Sequence, residues 1–210
     1  MYIAIAVPLR FSYTKATQAL NFFAIKNGGE INKMKALKLL YFAERYHLRK
    51  YGRLITNDTY YAMEYGPVAS VAKTLSEGLR DFSQGNDMEA DYASRYICPK
   101  GNRREIKSLK AVETEVFSQS DIEAFEFAWG RFSSFDQFQL SDITHLYPEW
   151  KKHEAALSSG TVSRMGMDAL DFLEDAPEGA DPCHPLDAAE KELRRAQVIE
   201  EREIHALWNQ

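Results

Sequence analysis

Lys35, Lys38, Arg45 and Arg49 recur at spacings of 3, 7 and 4, which places four cations along one side of a helix. From Lys33 to Arg53 there are seven basic residues against the single acid Glu44, a balance of +6. From Asp168 to Gln210 the count is twelve acidic and four basic, a balance of −8. Such asymmetry steers a charged partner to one region and orients it. The same residues also fit a solvated helix face followed by an acidic tail. Nucleic acid is the other use of a basic stripe, but it asks for aromatic platforms or a readable helix N-terminus beside the charges. A net charge of −5 over 210 residues supplies little attraction for phosphate.

Catalytic chemistry has no comparable pattern. The chain holds no GxSxG, phosphate-loop, HExxH or calcium-loop motif. The tightest pairing among its five histidines is His145 with His153, eight apart and interrupted by Pro148, too far to share a metal. His145 reads as a loop-holding hydrogen-bonder and His47 as a satisfied, partly buried ring. An enzyme would need convergent polar groups in a deep pocket around His47, Tyr65 and His145. Cys98 and Cys183 fit no CxxC pattern and are expected as reduced thiols, and Cys183-His184 is too sparse for a metal. The expectation is a protein that is not an enzyme and has no cofactor.

The elements that position these residues centre on Met34 to Ser70. Leu39, Leu40, Tyr41, Phe42 and Ala43 surround the helix with apolar groups, the mark of a buried central element. Asn32 is placed to cap it, and Gly52 to end it in a left-handed conformation. A strand is expected around Tyr60 and a third helix from Pro67, so Tyr65-Gly66-Pro67-Val68 reads as a strand-to-helix junction with N–H groups open to a docking partner. Before it, Thr14 caps a first helix that Asn27-Gly28-Gly29 stops. Beyond it, Ser83 to Asp91 reads as a loop, and Tyr92–Cys98 and Glu105–Lys110 as strands that join the Tyr60 strand in one antiparallel sheet. Ser120 and Ser141 are expected to cap two later helices, Pro148 to open a further turn, and Met167 to Leu173 to form a short amphipathic piece.

The central segment also carries a resemblance. Lys38 to Ala43, His47-Leu48, Tyr51-Gly52-Arg53, Ile55-Thr56, Asp58, Tyr60, Ala62-Met63 and Gly66-Pro67-Val68 are similar to the SocA-like antitoxin domain, also called Panacea. A second stretch, Leu140-Ser141-Asp142-Ile143-Thr144-His145 followed by Pro148-Glu149-Trp150-Lys151, resembles the family's later signature. The resemblance covers about residues 12 to 175. It departs at Leu54, Asn57 and Ala69, where the family has Pro, Gly and Pro. It implies an antitoxin of a bacterial or phage toxin–antitoxin pair, whose partner is a cognate toxin from the adjacent gene, neutralised by direct contact. An adaptor role, delivering the toxin to an ATP-dependent protease, is also implied. The alternative is a DNA-binding regulator of its own operon that uses the basic helix.

The fold class expected is α+β, mainly α, with a small antiparallel sheet around the buried helix. Residues 1–175 form the domain, the Pro-rich stretch 176–185 a linker, and 186–210 an amphipathic helix. That helix either folds back or serves as a handle, with Trp208 as an anchor beside Lys35, Lys38, Arg45, Arg49 and Tyr65. The apolar start MYIAIAVPL lacks a basic lead and is broken by Pro8, so it reads as a strand or anchoring segment rather than an export signal. No stretch is long enough to cross a membrane, and a cytoplasmic protein is expected.

Overall fold

The computed structural model describes residues 11–78 and 87–208, apart from the side chains of Asp87, His205, Ala206 and Trp208. The apolar run at the N-terminus and the first part of the expected 83–91 loop lie outside the described residues. Helices α1 (Tyr13–Lys26) and α2 (Lys33–Tyr51) flank the short strand β1 (Glu30–Asn32). Strands β2 (Tyr60–Met63) and β3 (Gly66–Ala69) lead into α3 (Ser70–Ser76). Next come α4 (Asp87–Tyr96), β4 (Ile97–Lys100) and β5 (Glu105–Ser108). The helices α5 (Gln119–Phe132), α6 (Gln137–Thr144), α7 (Pro148–Lys151) and α8 (Glu154–Ser158) follow. After β6 (Arg164–Gly166) and a 3-10 turn at Ala169–Leu173 comes α9 (Ala188–Trp208). The fold is α+β and mainly α.

Helix α2 is the axle. Every residue from Ala36 to Arg49 is buried, as a helix apolar on all sides requires. Asn32 caps it by accepting from the Lys35 N–H at 3.2 Å, and Gly52 ends it at φ +76°. Helix α5 packs against it through aromatic rings, and α1 joins them by a ring contact with α5. Phe42 stacks on Phe132 at 3.8 Å, Tyr46 on Phe127 at 4.2 Å, and Phe23 meets Phe125 edge-on at 5.8 Å.

Among the described residues the β structure is two three-stranded antiparallel sheets, β1-β5-β4 and β3-β2-β6, rather than one. Ile31 pairs with Ile106 in the first; Ala62 pairs with Pro67 and Met165 in the second. Each sheet is completed by a strand too short to show a period of two, Glu30–Asn32 and Arg164–Gly166. Tyr92 to Tyr96, expected as strand, is the end of α4. The two tyrosines sit one turn apart and both donate to Glu113, while Tyr92 also accepts from Gln18 on α1.

Pro67 lies inside β3, an edge strand where a missing N–H is tolerated, and α3 starts three residues later. Asp58 supplies the cap from a distance, accepting from the N–H groups of Val71 at 3.0 Å and Ala72 at 2.8 Å. Three other caps are displaced. Ser12, Ser118 and Asp136 cap α1, α5 and α6, in place of Thr14, Ser120 and Ser141. Asn57, standing where the family has Gly, adopts φ +55°, which an Asn tolerates better than most residues.

The arginines of the basic stripe staple the C-terminal third onto α2. Arg45 donates to Glu149 at 2.7 Å and to the carbonyls of Phe172 and Glu174 at 2.8 and 2.7 Å, with its guanidinium 4.6 Å from the Tyr147 ring centroid. Arg49 donates to the carbonyls of Leu173, Glu174 and His184 and pairs with Asp175. The Pro-rich stretch expected as a linker is packed against the helices: Cys183 is buried and the Asp181 carbonyl accepts from the Tyr147 hydroxyl at 2.6 Å. Helix α9 folds back, with Arg194 donating to the carbonyls of Arg49 and Lys50 and with Val198 buried.

Candidate functional site

The β2–β3 hairpin turns at Glu64-Tyr65, with Met63 paired to Gly66. Gly66 has φ +93°, a conformation natural to glycine alone, and a Cβ there would lie 2.3 Å from the Thr144 hydroxyl and 2.6 Å from Lys38 Nζ. Lys38 donates to the Pro67 carbonyl at 2.9 Å, and the Trp150 indole donates to the Met63 carbonyl at 2.9 Å. His145 stacks on the Trp150 ring at 3.7 Å with planes 15° apart. The Thr144 hydroxyl itself donates to the Ser141 carbonyl at 2.7 Å. The hairpin is thus clamped from α2 on one side and from α6–α7 on the other.

Beside the hairpin lies a groove of about 870 Å³, bounded by the start of α2, the hairpin and the segment that follows α8. Its wall is apolar, from Met34, Leu37, Met63, Val68 and Val162, with Tyr65 at the rim and Lys38 among the lining residues. Lys33 and Lys73, also on its edge, share one carboxylate, Glu77. Tyr65 is 52% exposed, the largest aromatic surface at the site.

The SocA-like antitoxin, Panacea domain family model matches residues 37–151. The chain belongs to this family. The matched span runs from α2 through α7 and contains the hairpin with everything that clamps it. Among the curated proteins and among the solved structures, nothing matches the chain. The two stretches that carry the Panacea resemblance are separated in the chain by the span from Val68 to Leu140 and meet in space: Met63 of the first accepts from Trp150 of the second, and Gly66 of the first lies against Thr144 of the second.

The sequence-derived site residues separate into groups. Tyr65 and Lys38 come together at the groove. Lys35 is half-buried and donates to the Ser133 carbonyl at 2.7 Å, tying α2 to the end of α5. Arg45 and Arg49, expected on a solvent-facing stripe, are 0% and 1% exposed and reach inward, because the carbonyls of residues 172–174 need donors at the spot where that segment crosses α2. This also removes the surface on which a DNA-reading α2 would rely. The side chain of Trp208 lies outside the described residues. Met34, Leu37 and Val162 were missed by sequence reasoning: their apolar character says core, and only the neighbouring hairpin leaves them lining a groove. Thr144 and Trp150 were visible as part of a family stretch, though their partners were not.

His47, Tyr65 and His145 do not converge. His47 is buried against α5: its Nδ1 meets the Arg53 carbonyl at 2.9 Å, so that nitrogen carries the proton, and its Nε2 meets the Ser120 hydroxyl at 3.0 Å. Asp121 also sits on the Nε2 side, at 3.3 Å. A hydrolytic triad needs the acid on the opposite nitrogen from the serine. The arrangement is structural. Burial lowers the His47 pKa to about 4. The unfolded ring binds a proton that the folded one refuses, so this contribution is whole above the unfolded value of 6.5 and fades as pH falls toward 4. A proton NMR titration should show the His47 Cε1–H shift unchanged from pH 8 to about 5; a midpoint near 6.5 would contradict the packing.

Among the described residues, no group of three or more His, Cys, Asp or Glu side chains is placed to hold a metal ion. Nor is any described helix long and apolar enough to cross a membrane.

Proposed function

We propose that this protein neutralises a cognate toxin, encoded by the adjacent gene, by direct contact through the groove and the Glu64-Tyr65 tip. Membership of the SocA-like antitoxin family points to an antitoxin role and, in general terms, to a toxin partner. The observation that carries the finer reading is convergence: both family stretches are spent on holding one exposed hairpin beside one apolar groove. A rigid, preformed edge with an exposed aromatic tip is what a tight protein contact uses, since a few desolvated anchors dominate affinity. A cytoplasmic setting and a non-catalytic action belong to the same reading.

Delivery to an ATP-dependent protease fits on top of this. Leu193, Ile199 and Leu207 on α9 are 54%, 45% and 71% exposed, apolar side chains separate from the groove residues and available while a toxin is held. Co-expression with the neighbouring gene product should restore growth, and Tyr65→Ala should weaken binding by about 30-fold, the scale of an aromatic anchor. A toxin as lethal with this protein as without it would refute the reading.

A further inference from the structure

Lys38 is 1% exposed and lines the groove. Among the described residues its one hydrogen-bond acceptor is the Pro67 carbonyl, and no carboxylate pairs with it. Every other buried cation of α2 is answered by an acid or by several carbonyls: Arg45 by Glu149 and two carbonyls, Arg49 by Asp175 and a run of carbonyls. An ammonium has three donors, and a buried one without a counter-charge is costly: burial lowers the Lys38 pKa to about 7, so the group stands between amine and ammonium until a counter-charge reaches it. A fold that keeps it there has left a place for an anion.

Resting on the toxin-binding reading above, we propose that Lys38 is the polar anchor of the groove and takes an acidic side chain, Asp or Glu, carried on an otherwise apolar segment of the toxin. The surroundings select that chemistry. Met34, Leu37, Met63, Val68 and Val162 offer apolar contact, while among the described residues Lys33 and Lys73 at the edge share the one carboxylate of Glu77. A carboxylate brought to Lys38 forms its ion pair out of water, where a charge-assisted bond is strong and leaving it unmade is expensive. Such a contact gives specificity as well as affinity, because a segment with an amide or a cation at that position is rejected. Gly66 belongs to the same device, since any side chain there would occupy the space of the ammonium.

The test uses the full chain and the purified neighbouring gene product, with Lys38→Met as the variant. Wild type should bind, and Lys38→Met should bind about 100-fold more weakly while melting at the same temperature or higher, because a buried charge has gone. Equal binding by both would overturn the anchor and leave the antitoxin reading standing; no binding by wild type would overturn that reading instead. A second measurement needs no toxin and holds even if the variant misfolds. In wild type labelled with 13C-lysine, millimolar hexanoate should shift the Lys38 Cε resonance, whereas hexanol and hexylamine should not. An equal response to hexanol, or none to hexanoate, overturns the proposal. Removing the toxin's last residues should leave binding unchanged; a matching loss there would assign the carboxylate to a chain terminus and contradict the side-chain assignment.

Discussion

Glu149→Leu is expected to destabilise the protein by about 3–5 kcal/mol, because it strands Arg45 in the core without its counter-charge. Glu149 and Arg45 are both fully buried, and the carboxylate also accepts from the Tyr41 hydroxyl at 2.5 Å. Burial pushes the Glu149 carboxyl above the usual range, and Arg45 with the Tyr41 hydroxyl pulls it back. Adding Arg45→Met to Glu149→Leu should recover most of the loss, since an apolar pair of similar volume replaces buried ions at little cost. Recovery should stop short of wild type because the Phe172 and Glu174 carbonyls lose their donor. Urea titration of the four proteins measures the coupling. If the single variant melted like wild type, the ion pair would not be part of the core.

Gly66→Val is expected to be the most damaging change at the site itself. The positive φ alone costs on the order of 1–3 kcal/mol for a residue with a side chain, more when it is β-branched. The new Cβ would also meet the Thr144 hydroxyl and the Lys38 ammonium, both of which must move. The hairpin would lose its fit against α2 and α6 together. Rescue of growth in the co-expression assay should therefore vanish while α1, α5 and the distant β1-β5-β4 sheet still fold, read as retained helical circular dichroism. Gly28 is the control: it shares the positive φ, at +88°, but has nothing within 4 Å of a Cβ, so Gly28→Ala carries the backbone strain without the clash and should leave rescue intact.

The buried axle was plain in the sequence because Leu39 to Ala43 leave no polar face, and Asn32 and Gly52 mark its ends by chemistry that only caps require. Pairing was harder to read. Strands of three or four residues are too short for an alternation such as that of β2 to stand out in the sequence, and partners such as Glu30–Asn32 and Arg164–Gly166 lie far away in the chain. Pro67 misled because Gly-Pro is equally at home at a helix start and on an edge strand, and Asp58 moves the cap to Val71 and Ala72 through a contact no local window contains. Arg45 and Arg49 were correctly placed on a helix, but they face the core rather than water. Spacing reports which side a residue occupies, but what crosses that side is decided by residues 172–184, more than 120 positions on.

The central claim is that the chain works as a preformed docking face, with the hairpin and its groove as the contact. Amide hydrogen exchange on the protein alone and bound to the neighbouring gene product tests it most directly. Added protection should concentrate on residues 63–68, 33–38 and 157–163. Protection confined to α9 or to the β1-β5-β4 sheet, with those three stretches unchanged, would contradict it.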